Sequence, residues 1–260
     1  MNYQLIFICI DETRKIKLIE QIKDLKIRSP IYFLEGSIPS NSQQFFTGLV
    51  RTPTLFKKEL CCLKSHAKAL EFAHSENSPD FSVILEDDVS LHLTDFIDII
   101  EHLANYWDDY VKSDNGLISL GWLPSKKYEY FVNVKPCEVL KGRPYKLFNN
   151  HQLLGAQSYM VRKKDLDPLI YIFQQPTFRE LKHCIIENYC HKLGYDKELK
   201  HYYHIDLIFK ILFTQFYLFP LIAIEQPVPS LLNHNNDKCY WAVYFENHYD
   251  LKEQYWSFTA

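Results

Sequence analysis

Glycine is scarce, at 7 of 260 residues, and nowhere do the glycines gather into a Gly-rich phosphate loop or a Gly-x-Ser-x-Gly turn. Neither backbone cradling of a phosphate nor the nucleophile elbow of a serine hydrolase is therefore encoded. Positive charge is in no excess either: 29 Lys and Arg stand against 32 Asp and Glu, a net charge of −3. Without a clustered basic surface there is no electrostatic case for nucleic acid, and any bound phosphate must be held locally. Long hydrophobic runs are absent as well. The opening Met1-Asn2-Tyr3-Gln4-Leu5-Ile6-Phe7-Ile8-Cys9-Ile10 has no preceding positive charge and no small-residue cleavage site, and it is too short to span a bilayer. It reads as a first strand. The most apolar later segment, 205–224, contains Asp206, Lys210 and Gln215, with Pro220 near its end, and reads as a helix running into a strand. No transmembrane segment is expected, which leaves room only for peripheral membrane contact. Seven cysteines, an odd number with Cys61 and Cys62 adjacent, do not form a disulfide scaffold; free thiols in a reducing, cytoplasmic setting are expected.

What is present suits a globular domain. Hydrophobic residues make up 47% and charged residues 23%, and no internal repeat or low-complexity tract is visible. The length, near the upper size for one core, is read as a single domain over 1–260, with two tightly packed lobes as the alternative. With 18 Tyr, 18 Phe and 4 Trp the core has ample bulk, and rings remain that could line a sugar-binding groove. Strands are expected at 3–10, 31–34, 81–85, 116–120 and 155–161, and helices at 14–25, 56–74, 95–110, 164–173 and 177–193. The stretch 121–150, rich in Pro, Lys and Tyr, reads as loop or short edge strands and as a possible lid. This alternation predicts a three-layer α/β domain with parallel strands.

The strongest chemical signal is Val83-Ile84-Leu85-Glu86-Asp87-Asp88-Val89. Three acidic side chains behind a buried strand would face the crevice where open α/β sheets bind ligands. Adjacent anions repel, so either water screens them or a divalent ion neutralises them, and oxygen ligands suit Mg²⁺ or Mn²⁺. The plain alternative is a solvated acidic turn that caps the next helix.

Two further patches flank this motif. Upstream is Lys58-Glu59-Leu60-Cys61-Cys62-Leu63-Lys64-Ser65-His66; downstream are Gly155-Ala156-Gln157-Ser158-Tyr159 and His204-Ile205-Asp206. Together with an opening strand that ends in Asp11 and Arg14, the order resembles glycosyltransferase family 25, which includes lipopolysaccharide and collagen galactosyltransferases. Members of that family show a Gly-Cys-x-x-Ser-His helix, an apolar-Glu-Asp-Asp strand end, a Gly-Ala-x-x-Tyr strand and a Pro-Val-Asp segment. The likeness runs from about residue 3 to about residue 234. Here Cys61 stands in place of the family's Gly, His204-Ile205-Asp206 in place of Pro-Val-Asp, and Cys9-Ile10-Asp11 in place of Asn-Leu-Asp.

The resemblance implies a GT-A type fold, a Rossmann-like α/β/α domain with a mostly parallel central sheet, binding a UDP-sugar through Mn²⁺ or Mg²⁺. By analogy Glu86 lies near the nucleotide ribose, Glu86 and Asp88 ligate the metal with Asp88 the direct ligand, and Glu86 and Asp87 belong to the donor site. His234 is the third metal ligand, with His204 as the alternative and an ordinary surface histidine as the plain reading. Asp206 occupies the family's Asp position and is the candidate base for the acceptor hydroxyl; an N-cap is the competing role. Ser65 and His66 are read as donor-site residues, with His66 bonding a phosphate or a carboxylate, or simply packed. Arg14 pairs with the nucleotide or is a first-turn surface arginine. The run His183-Cys184 to Cys190-His191 does not converge as a zinc site on one helix, because its four candidates fall on two faces.

The expected activity is transfer of galactose or glucose from a UDP-sugar to a hydroxyl of a saccharide or a hydroxylysine-type acceptor, with inversion. A Mg²⁺-dependent nucleotidyltransferase or phosphohydrolase and a catalytically inactive glycosyltransferase-like module are the alternatives.

Overall fold

The computed structural model describes residues 2–23, 25, 27–38, 54–91, 95–123, 138–143, 145–149, 154–175, 180, 183–184, 205–219 and 221–225. The chain opens with β1 (Tyr3–Cys9), every residue of which is buried. Its one polar side chain, Gln4, donates to the Ser82 hydroxyl at 2.9 Å, which satisfies an amide inside the sheet. α1 (Glu12–Lys23) follows, with Asp11 as its cap: Asp11 Oδ1 accepts the backbone N–H of Arg14 at 2.9 Å. Then come β2 (Ile31–Glu35), α2 (Thr54–His74), β3 (Phe81–Glu86) and β4 (Val89–Leu91). Next are α3 (Phe96–Asn105), α4 (Trp107–Tyr110), β5 (Gly116–Leu123), β6 (Glu138–Val139), β7 (Lys146–Phe148) and β8 (Leu154–Arg162). The described chain ends with α5 (Lys163–Leu166), α6 (Ile170–Phe173), α7 (Ile205–Leu212), β9 (Thr214–Phe219) and β10 (Ala223–Glu225).

Eight strands form one sheet in the order β2-β1-β3-β8-β5-β9-β7-β6. β1 pairs in parallel with β2 and β3, and β5 pairs in parallel with β9. β8 is antiparallel to both β3 and β5, and β7 is antiparallel to β9 and β6. Only β7 and β8 therefore run against the common direction, and the sheet is mostly parallel. Side chains alternate faces along each strand. Ile6, Ile8, Ile84, Tyr159 and Val161 join the core that α2 and α7 cover; Leu5, Phe7, Val83, Leu85 and Met160 join the core that α1, α3 and α4 cover. These are the three layers of an α/β/α domain.

Several boundaries differ from the sequence expectation. The helix expected over 95–110 breaks at Tyr106, whose φ of −119° and ψ of 22° lie outside the helical region. The helix expected over 164–173 splits into α5 and α6 around Pro168, which has no N–H for the helix ladder. β4 and β10 pair antiparallel as a separate two-stranded sheet that was not expected. The edge strands expected within 121–150 are β6 and β7. The helix expected over 177–193 lies largely outside the described residues. No helix among the described residues is long and apolar enough to cross a membrane.

Candidate functional site

The C-terminal ends of β1 and β3 lie side by side, with Ile8 in register with Glu86. α1 starts immediately after β1, so Asp11 and Arg14 are placed at this edge. α7 leads into β9, which begins beside Gly116 at the other end of β5, and the charge of Asp206 in its first turn acts on Tyr217 of β9. The fold thereby gathers Arg14 and the acidic triplet along one edge, the position at which open α/β sheets receive ligands.

The triplet does not act as one anionic cluster. Leu85 faces the α1 side and Ile84 the α2 side, so the next two residues continue that alternation. Asp87 turns to α1. Its Oδ2 accepts the backbone N–H groups of Ile10 at 2.6 Å and Asp11 at 2.9 Å. Arg14 Nη1 lies 3.5 Å from Asp87 Oδ1 and 3.5 Å from Asp88 Oδ2, and the two carboxylates are 4% and 6% exposed. Neutralisation of these two residues is therefore supplied in part by one guanidinium and two amides. The same charge acts on Cys9: burial first, and the neighbouring Asp87 second, push its thiol up to about 12.

Glu86 turns the other way, to α2. Its Oε1 is 3.0 Å from His66 Nε2 and 3.8 Å from Cys62 Sγ, two side chains one helical turn apart on the same helix face. The other imidazole nitrogen, Nδ1, is 3.1 Å from the Tyr159 hydroxyl. One neutral tautomer satisfies the chain: Tyr159 O–H donates to Nδ1, and Nε2–H donates to Glu86. His66 is 1% exposed and Tyr159 is fully buried, while Glu86 is 24% exposed at the surface end of this line. Burial, reinforced by the charge of Glu86, holds the Tyr159 phenol well above its ordinary range, so it stays a hydrogen-bond donor. Phe209 of α7 packs edge-on against both rings, at 4.9 Å from Tyr159 and 6.0 Å from His66.

Other residues singled out from the sequence take different positions. Ser65 is buried; its hydroxyl donates to the Cys61 carbonyl at 2.8 Å and accepts the Ser37 N–H at 2.8 Å, which ties α2 to the segment after β2. Asp206 lies within the first turn of α7, one residue inside the helix start, where a carboxylate favours the helix dipole. One turn further on, burial lowers the Lys210 pKa and the Asp206 charge opposes that shift. His204 and His234 lie outside the described residues. Cys62 was not singled out from the sequence. Its i, i+4 spacing to His66 was the available signal.

Among the described residues one group of three or more His, Cys, Asp and Glu side chains is close enough to hold a metal ion: Cys62, His66 and Glu86, with ligand atoms all within 4.8 Å of one another. No comparable group built from Asp87 and Asp88 occurs among the described residues. A hard cation beside Asp88 would have to take most of its oxygen ligands from a diphosphate and water, an arrangement that Mg²⁺ commonly adopts with one or two carboxylates. Asp88 fits that limited role, being a carboxylate at the ligand-facing edge beside a guanidinium that can also meet phosphate.

No protein-family model matches the sequence, and no curated protein matches it. Solved structures do match. One is a glycosyltransferase involved in glycosylation of the major capsid of PBCV-1, at 8% identity and a TM-score of 0.41, covering 95% of this chain and all of that one. The apo-form glycosyltransferase GlyE of Streptococcus pneumoniae matches at 11% identity and a TM-score of 0.37, covering 96% of this chain and 51% of that one. The galactosyltransferase LgtC, in complex with donor and acceptor sugar analogues, matches at 10% identity and a TM-score of 0.35, covering 94% of each chain. TM-scores this low transfer no role to any residue.

Proposed function

We propose that the chain is a metal-dependent glycosyltransferase that moves a hexose, galactose or glucose, from a UDP-sugar to a hydroxyl of a saccharide or a hydroxylysine-type acceptor, with inversion. The observation that carries this reading is the pairing of Arg14 with Asp88 at the C-terminal edge of a mostly parallel sheet, where β3 also ends in Glu86. The family resemblance of the ordered sequence motifs supports it.

In this reading the donor's diphosphate lies over the ends of β1 and β3. Asp88 holds the divalent cation, which when bound stabilises the charge of the departing diphosphate as a Lewis acid. A late histidine such as His234 is a further ligand in the family pattern; Glu86, turned to His66 and Cys62, is not a ligand of this cation. Arg14 meets the phosphate oxygens, for which a guanidinium is suited. Glu86, held by His66 and thus by Tyr159, is oriented toward the ribose. Asp206 accepts the proton of the acceptor hydroxyl as that oxygen attacks the anomeric carbon from the face opposite the leaving diphosphate, which inverts the centre.

One observation favours a second reading. Arg14 already sits between Asp87 and Asp88, so these carboxylates have a counter-charge without an ion. A catalytically inactive glycosyltransferase-like module would keep that pairing and bind no cation. Hydrolysis of a panel of UDP-sugars, with Mn²⁺ and with chelator, separates the two. Turnover that requires Mn²⁺ is expected; absence both of turnover and of metal-dependent nucleotide binding favours the inactive module. Turnover of a sugar 1-phosphate with a nucleoside triphosphate would instead identify a nucleotidyltransferase.

A further inference from the structure

We propose that Cys62, His66 and Glu86 form a zinc site distinct from any cation carried by the donor diphosphate. Three observations converge on it. Cys62 and His66 stand at i and i+4 on α2 and face the end of β3, where Glu86 Oε1 lies 3.8 Å from the sulfur and 3.0 Å from Nε2. Ligand atoms held about 2.0–2.3 Å from a tetrahedral Zn²⁺ are separated by roughly 3.3–3.8 Å, so the cluster is within small rotamer adjustments of a coordination triangle. The second observation is the outer shell. His66 Nδ1 is already 3.1 Å from the Tyr159 hydroxyl, the kind of partner that fixes ring orientation in metal-bound histidines. The third is access: His66 is buried, but Cys62 and Glu86 are only partly so, which gives an ion a way in and leaves a fourth position for water or a ligand.

The donor set selects the ion. A thiolate and an imidazole beside one carboxylate favour Zn²⁺ over Mg²⁺ or Mn²⁺, which prefer all-oxygen shells. Binding is balanced by one proton. Cys62 gives up its S–H proton to solvent, and the imidazole remains neutral by moving its proton from Nε2 to Nδ1, so that Nε2 ligates and Nδ1–H donates to Tyr159 Oη. The ion would pin α2 to the strand end that also bears Asp87 and Asp88. The adjacent Cys61 is not part of the site: it is buried, and neighbours on a helix point about 100° apart.

The test uses the full chain, stripped of metal, titrated with Co²⁺ in place of spectroscopically silent Zn²⁺. Expected are tetrahedral visible bands and a near-ultraviolet thiolate-to-cobalt charge-transfer band that saturate together and are displaced by Zn²⁺. Cys62→Ser removes the charge-transfer band, Cys61→Ser keeps it, and Tyr159→Phe weakens binding by about 10- to 100-fold. The proposal is overturned by a band that survives Cys62→Ser, which places the thiolate elsewhere, or by no band in folded wild-type protein at stoichiometric Co²⁺. Since the readout is spectroscopic, its failure is separable from failure of sugar transfer.

Discussion

Asp87 accepts the backbone N–H of Ile10 at 2.6 Å, across the ends of two parallel strands. The middle carboxylate of the triplet is thus a tie between β3 and the turn that launches α1, and it also receives Asp11 N–H and faces Arg14. Replacing it by alanine strands two amides and part of a guanidinium in a buried place. Asp87→Ala should lower unfolding free energy by about 3 kcal/mol. Chemical denaturation monitored by circular dichroism checks this; an unchanged midpoint would show that the tie contributes nothing.

Arg14 stands where a cation would relieve the same repulsion. Arg14→Gln leaves Asp87 and Asp88 without their guanidinium, so the variant should unfold at a lower temperature. It should also regain more of that temperature from added Mn²⁺ than wild-type protein does. Equal Mn²⁺ shifts in the two proteins, measured by thermal denaturation, would mean that no divalent ion binds beside these carboxylates.

Two buried thiols carry a pH signature. Cys9 is pushed up to about 12 and Cys61 to about 11, from an ordinary value of 9.0, by burial in both cases. A raised value favours the protonated thiol in the folded state, so their contribution to stability is complete below about pH 9 and is lost as pH rises through about 11 to 12. In folded, metal-stripped protein at pH 8, alkylation followed by peptide mass mapping should modify the partly exposed Cys62 while leaving the buried Cys9 and Cys61 intact. Labelling of Cys61 as fast as Cys62 would contradict the packing described for α2.

Asp206 is separable from its neighbours by kinetics. Asp206→Asn keeps a polar group in the first turn of α7 and should cost under about 1 kcal/mol of stability through the weaker dipole interaction. Donor binding should persist while sugar transfer is lost. Unaltered transfer would reduce the residue to a helix-dipole partner.

The layers of this fold were legible because buried strands such as β1 and β3 are nearly continuous apolar runs, and because Phe96, Ile99, Ile100 and Leu103 recur at helical spacing on α3. The reversed direction of β8 was not legible, since a strand buried on both faces has the same pattern whichever way it runs. Three-residue β4 and β10 fall below the length at which periodicity speaks. In the site, the triplet was conspicuous, and its division could have been read from the pleat: if Leu85 faces one layer, Glu86 faces the other. The Tyr159 contact to His66 could not, because 93 residues separate the two and only the antiparallel insertion of β8 beside β3 brings them together. The i, i+4 pair Cys62 and His66 was visible in the sequence but gains chemical meaning only once Glu86 is seen to meet it.

The central claim is that Asp88 holds a divalent cation that clasps the donor's diphosphate. Calorimetric titration of UDP into wild-type protein and Asp88→Ala, each with Mn²⁺ and with chelator, tests it most directly. Binding to wild-type protein that requires Mn²⁺, and its loss in an Asp88→Ala variant that remains folded by circular dichroism, is the predicted result. UDP binding that ignores the chelator, or that is undiminished in Asp88→Ala, would contradict it.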